Sequence, residues 1–218
     1  MHPFPRLDAR SGQSDCGHYF LHTNVFLRHA SGASGEADEH IDRILTQAAV
    51  LKRRVWISSL LFAELKPSIF APGRFNSFDQ LTQYIRSLAT IVTPDPNMML
   101  RVGRLRDAKW QRPAHARGAD DKPRMMSFND AIQIASALWV KEAGGVTDLK
   151  FLMFDDWSRN EAKGRTPLSL LRLQDYAEDA GANSDVMAAL RLTRIQPSPQ
   201  TRPIPKPAPA GQEPSTVS

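Results

Sequence analysis

The feature that most constrains this chain is an alternation. Short apolar runs, "HYFL", "RVWIS" and "KFLMF", read as buried strands, and each lies near a longer stretch with apolar residues at helical spacing. The helical stretches are "EADEHIDRILTQAAVLKR", "FDQLTQYIRSLA" and "FNDAIQIASALWVKEAGG", the last with Gly144 and Gly145 as its stop. Strands separated by helices argue for an α/β fold with a parallel sheet covered on both faces.

The rest of the chain divides around that unit. At 218 residues and 41% apolar content it can bury one substantial core, so one domain with appendages is expected. Residues 1–17 are polar, carry Pro3, Pro5, Gly12 and Gly17, and read as a loose arm. The domain proper is expected over residues 18–175, ending in a strand or helix around "LSLLRL". Residues 176–195 read as a helical extension, and residues 196–218 as a disordered, proline-rich tail with polyproline II character. A single cysteine, Cys16, excludes an internal disulfide framework. With no secretory pattern at the start, a cytoplasmic location is expected. No apolar stretch approaches the roughly 18 residues of a membrane span.

Charge is unevenly placed. The formal net charge is +5, and the segment from Arg101 to Arg124 holds eight Lys/Arg against three Asp, a surplus equal to that of the whole chain. A concentrated basic segment is the footprint of a phosphate-backbone binder, and equally of a solvated surface loop and helix. Arg101, Arg104, Arg106, Lys109 and Arg112 are the candidate phosphate contacts.

In a parallel α/β sheet, functional groups gather where strands end and helices begin. Four such junctions carry a polar residue: "FLHTN" offers His22 with Thr23 and Asn24, "WISSLLFAEL" offers Glu64, "MSFNDAI" offers Asp130, and "FLMFDDW" offers Asp155 and Asp156. Glu64 lies in an apolar run, inside a helix that Ser58 or Ser59 could cap, where a buried carboxylate needs a partner. Ser127 and Asp130 form an S-x-x-D pattern, which also reads as a helix cap. Adjacent positions on an extended chain point to opposite sides, so one of Asp155 and Asp156 should face the site. Three carboxylates on separate elements make a hard-oxygen site suited to Mg²⁺ or Mn²⁺. A competing zinc site from Cys16, His18 and His22 is disfavoured, because on a strand the two histidines lie about 13 Å apart.

The four segments in this order resemble the PIN-domain ribonucleases, in particular the VapC-like toxins of toxin-antitoxin pairs. The likeness spans roughly Tyr19 to Leu173, and "FNDAIQIASAL" is its most specific part. It implies a three-layer α/β/α sandwich with a central parallel sheet, and a Mg²⁺- or Mn²⁺-dependent endoribonuclease with RNA as substrate. It further implies a cognate antitoxin protein and is compatible with a homodimer. Carried over, Glu64, Asp130 and Asp155 fall on metal-site acids, Thr23 and Asn24 on the polar pair that supports the first acid, and Asp156 beside the last. The first acid itself falls on His22. An imidazole is a poor ligand for Mg²⁺, though it can coordinate Mn²⁺, and it removes one negative charge. Three outcomes stay open: an active variant with altered metal preference, a natural inactive member, or a substitution that silences the toxin. The alternative function is a catalytically inactive PIN-fold module that binds RNA or a protein.

Overall fold

In the computed structural model, residues 17–50, 54–65, 73–117, 122–154, 168–177 and 183–197 are described. The N-terminal arm to position 16, the tail from 198, and the candidate acids Asp155 and Asp156 lie outside them.

Five strands form one sheet: β1 (His18–Leu21), β2 (Arg54–Ser58), β3 (Ala89–Val92), β4 (Lys150–Leu152) and β5 (Thr193–Ile195). Their order is β3-β2-β1-β4-β5 and every pairing is parallel. Between them run helices α1 (Thr23–Ala30), α2 (Glu36–Ala49), α3 (Leu60–Glu64), α4 (Phe78–Leu88), α5 (Pro96–Asp107), α6 (Phe128–Glu142) and α7 (Ser184–Leu190).

Strand alternation sorts the apolar residues into two cores. Phe20, Trp56 and Phe151 point to one face, where they pack with Val102 and Leu105 of α5, Ile134 and Leu138 of α6, and Val186 of α7. Tyr19, Leu21, Val55, Ile57 and Leu152 point to the other, against Phe26 of α1, Ile41 and Ile44 of α2, and Leu81 and Ile85 of α4. The sheet is therefore the middle layer of an α/β/α sandwich, as expected. Central β1 has a neighbour on each side, with Phe20 in register with both Trp56 and Phe151.

Two segments differ from the sequence expectation. The extension over 176–195 is not an appendage, because Thr193–Ile195 pairs with Lys150–Leu152 and completes the sheet. Arg194 of β5 donates to the Ala189 carbonyl near the end of α7, and burial pulls its guanidinium down to about 10. "LSLLRL" is neither strand nor α-helix; its leucines fill the core from an irregular path that ends in a 3₁₀ turn over Leu173–Tyr176. A strand this short, without a bounded apolar run, carries too little pattern to be read in advance. The same holds for β3, whose "ATIV" follows α4 without a break. Among the described residues no helix is long and apolar enough to cross a membrane.

Candidate active site

The carboxyl ends of β1 and β2 and the N-terminus of α6 meet at one cleft of about 340 Å³, lined by His22, Thr23, Asn24, Leu27, Ala63, Glu64 and Asn129. His22 sits at the seam between β1 and α1. Its backbone N–H continues the pairing with β4 by donating to the Leu152 carbonyl at 2.9 Å, and its extended backbone makes it the N-cap of α1. The cap is the imidazole itself, since Nδ1 accepts the Asn24 backbone N–H at 3.2 Å. An accepting Nδ1 leaves the ring proton on Nε2, which lies 3.3 Å from Asp130 Oδ1 and donates to it. Both ring nitrogens are thus engaged, and neither offers a spare lone pair to a metal in this arrangement.

Asp130 is held from a second side. Ser127, the N-cap of α6, accepts the Asp130 backbone N–H at 3.1 Å and donates its hydroxyl to Asp130 Oδ2 at 2.7 Å. The S-x-x-D cap forms as anticipated, but the carboxylate takes the serine hydroxyl rather than reaching back to a backbone N–H.

Glu64 is the last residue of a five-residue helix. Ser58, not Ser59, supplies the side chain at that helix start, accepting the Leu60 N–H at 3.3 Å. Thr23 donates a short hydrogen bond to Glu64 Oε2. Gln133 donates to the Thr23 hydroxyl at 2.8 Å and to Glu64 Oε2 at 3.3 Å, while Asn129 donates to Glu64 Oε1 at 2.7 Å. Each carboxylate oxygen of Glu64 and Asp130 therefore accepts at least one hydrogen bond from an uncharged group.

Asn129 and Gln133 are site residues that motif reading missed. Their signal is a polar stripe at positions 129, 133 and 136 on a helix otherwise apolar nearly all round. Ser136 completes it by bonding Ser58 at 3.3 Å, so the stripe faces the ends of β1 and β2 along about two helical turns. Asn24 points elsewhere. Its amide donates to the Phe154 carbonyl at 2.7 Å and accepts the Phe154 N–H at 3.2 Å, which fixes the chain leaving β4 just before position 155.

The donor set is rich in oxygen, which suits a hard divalent cation. Mg²⁺ keeps much of its water and asks for only one or two carboxylates from a protein, so Glu64 and Asp130 fit that modest share. Among the described residues no group of three or more His, Cys, Asp or Glu could hold a metal ion. His18, the other histidine of the zinc reading, pairs with Asp148 at 2.7 Å.

The basic segment is only partly available to a ligand. Arg101 and Arg104 both reach the buried carboxylate of Asp185 on α7, Arg101 at 2.9 Å, and Arg101 also pairs with Glu142 at 2.8 Å. Burial lowers the Arg101 pKa, but Glu142 and Asp185 outweigh it and hold the guanidinium above its ordinary value. These two residues staple α5 to α6 and α7, so part of the charge read as phosphate-contacting also holds the helices together. Arg112 lies over the Tyr176 ring at 5.5 Å. Arg106 lies over the Phe128 ring at 5.4 Å, and Lys109 is exposed.

No family model matches the chain, and no curated protein matches it. Among solved structures it is similar to VapBC2 from Rickettsia felis bound to a DNA fragment from their promoter, with a TM-score of 0.39 and 16% identity over 65% of this chain and 92% of that one. That likeness is too slight to carry fold or function, which rest on the sheet and the cleft themselves.

Proposed function

We propose that the chain is a divalent-metal-dependent endoribonuclease of the VapC-like PIN type, attenuated by His22, and that an antitoxin protein is its partner. The observation that carries this reading is convergence: of the residues that the sequence resemblance selects from three separate segments, Thr23 and Glu64 share one hydrogen-bonded group, and Asp130 bonds His22, which lines the same cleft at the carboxyl edge of the sheet. Glu64 and Asp130, with Asp155 by sequence, would hold the cation. When bound, it would supply a Lewis acid that makes water nucleophilic and offsets charge on the phosphodiester.

The chain's own residues have separate tasks in this proposal. Thr23, Gln133 and Asn129 hold the Glu64 carboxylate with both oxygens fixed. Ser127 fixes Asp130 against the helix start, where the partial positive charge of α6 favours a carboxylate. His22 occupies the place of a fourth acid, and its Nε2–H draws on the Asp130 oxygen that a metal would use.

That same contact favours a second reading, in which the cleft no longer turns over RNA and the chain acts as a binding module. One experiment separates them: cleavage of RNA by this chain and by His22→Asp, each in Mg²⁺ and in Mn²⁺. The proposal expects weak cleavage that rises in the variant and disappears in Glu64→Gln. No cleavage by either form in either metal leaves the binding module standing.

A further inference from the structure

Beside the acidic cleft lies an aromatic ring that no part of the fold requires. Phe128 is the first residue of α6 and remains 44% exposed, while the helix behind it is buried nearly all round. The Arg106 guanidinium from α5 lies over the ring, 5.4 Å from its centroid. The next residue, Asn129, lines the cleft and holds Glu64, and Asp130 follows. Two positions apart on one helical turn, the Cα atoms of Phe128 and Asp130 lie about 5.5 Å from each other. Met125, just before the helix, is more exposed still at 68%. An exposed Phe at a helix start normally gains by folding onto the core. Here it precedes the cleft-lining Asn129 and has a cation on it.

We infer that Phe128, backed by Arg106, is a stacking platform for a nucleobase of single-stranded RNA next to the scissile phosphate. The inference rests on the ribonuclease reading of the cleft. Single-stranded nucleic acid is held by this combination: a flat π-face for the base and a nearby positive charge for the backbone. Arg106 can serve both, because its guanidinium packs on the ring and carries a positive charge within reach of the backbone of a stacked nucleotide. Arg101 and Arg104, five and two positions earlier, are less suited, since both are drawn to Asp185 and Arg101 also to Glu142. A duplex has no free base to offer, so the platform selects unpaired RNA. A partner protein could also cover an exposed ring, and the abasic strand and the oligomeric state in the test below separate that occupant from RNA.

The test is fluorescence anisotropy with a labelled single-stranded oligoribonucleotide of about twelve nucleotides, in EDTA so that nothing is cleaved, beside an abasic strand of the same length. Phe128→Ala and Phe128→Leu are expected to weaken RNA binding at least about fivefold, with Phe128→Trp restoring it, since stacking contributes on that scale per base. All forms should bind the abasic strand alike. Ala and Leu variants that bind RNA like the parent overturn the inference, as does an equal loss on the abasic strand. A loss that comes with a change of oligomeric state on size exclusion also overturns it, in favour of a protein contact. If the parent chain binds no RNA at all, the ribonuclease reading fails first, and the parent measurement alone reveals that. Melting curves of the variants should stay cooperative and lie close to the parent's, with Phe128→Ala a little lower for the lost Arg106 contact.

Discussion

Replacing His22 with aspartate changes two interactions of opposite sign. The imidazole now donates to Asp130 Oδ1 across 3.3 Å and caps α1 through Nδ1. An aspartate keeps the cap and improves it, since a carboxylate is among the best N-caps and suits the helix dipole; the gain is about 0.5–1 kcal/mol. It also sets a second carboxylate opposite Asp130. At a separation of about 5 Å and an effective dielectric near 20, two unit charges repel by about 3 kcal/mol. Both side chains are largely sheltered, 12% and 29% exposed, so screening leaves most of that repulsion. The net expectation for His22→Asp in EDTA is a loss of about 2 kcal/mol, a fall in Tm of about 4–8 °C. A divalent cation reverses the sign, because it binds the folded site and not the unfolded chain. At about 100 times its Kd it returns about 2.7 kcal/mol. The assay is thermal melting of parent and variant in EDTA, Mg²⁺ and Mn²⁺. The parent should respond little to either metal, and the variant should fall in EDTA and recover in metal. A variant as stable as the parent in EDTA and indifferent to metal would refute the reasoning that residue 22 occupies a metal corner.

Other outcomes follow from the same contacts. Asp185→Ala leaves two guanidinium groups without their shared carboxylate and should cost about 2–3 kcal/mol, read in urea unfolding, the solvent exposure of Arg104 keeping it below the fully buried case. Arg101→Gln should likewise lower stability while leaving the salt dependence of RNA binding unchanged, whereas Arg106→Gln should reduce that slope by about one counterion. Gln133→Leu strips donors from Thr23 and Glu64 and should destabilise by about 1–3 kcal/mol, with loss of any cleavage. A pH effect is expected from His29, whose pKa is lowered by burial and then by Arg74, against the raising influence of Asp42. The unfolded chain takes up this proton near pH 6.5 and the folded chain resists it, so Tm should hold above about pH 6.5 and fall below it. His29→Phe should flatten that fall in a pH series of melting curves.

How far the sequence reveals this molecule depends on where each signal is stored. Strands β1, β2 and β4 are legible because each is a short apolar run with a polar residue at its end. Strands β3 and β5 are not, because "ATIV" abuts a helix and "TRI" shows one apolar residue in three. Glu64 and Asp130 are legible as acids at junctions, and Ser127 as a cap. The roles of Arg101 and Arg104 are invisible locally, since their partner Asp185 lies 84 and 81 positions away. Charge counts record a surplus but not who neutralises it. Gln133 escapes for the opposite reason: its stripe is visible along α6, but only the packing of α6 over β1 and β2 tells what the stripe faces.

At the seam between β1 and α1 the helix makes one demand of the side chain: an acceptor for the N–H of Asn24. Imidazole and carboxylate both meet that demand. The helix start therefore accepts either side chain, so one codon sets the charge of the proposed metal corner while the cap itself stays in place.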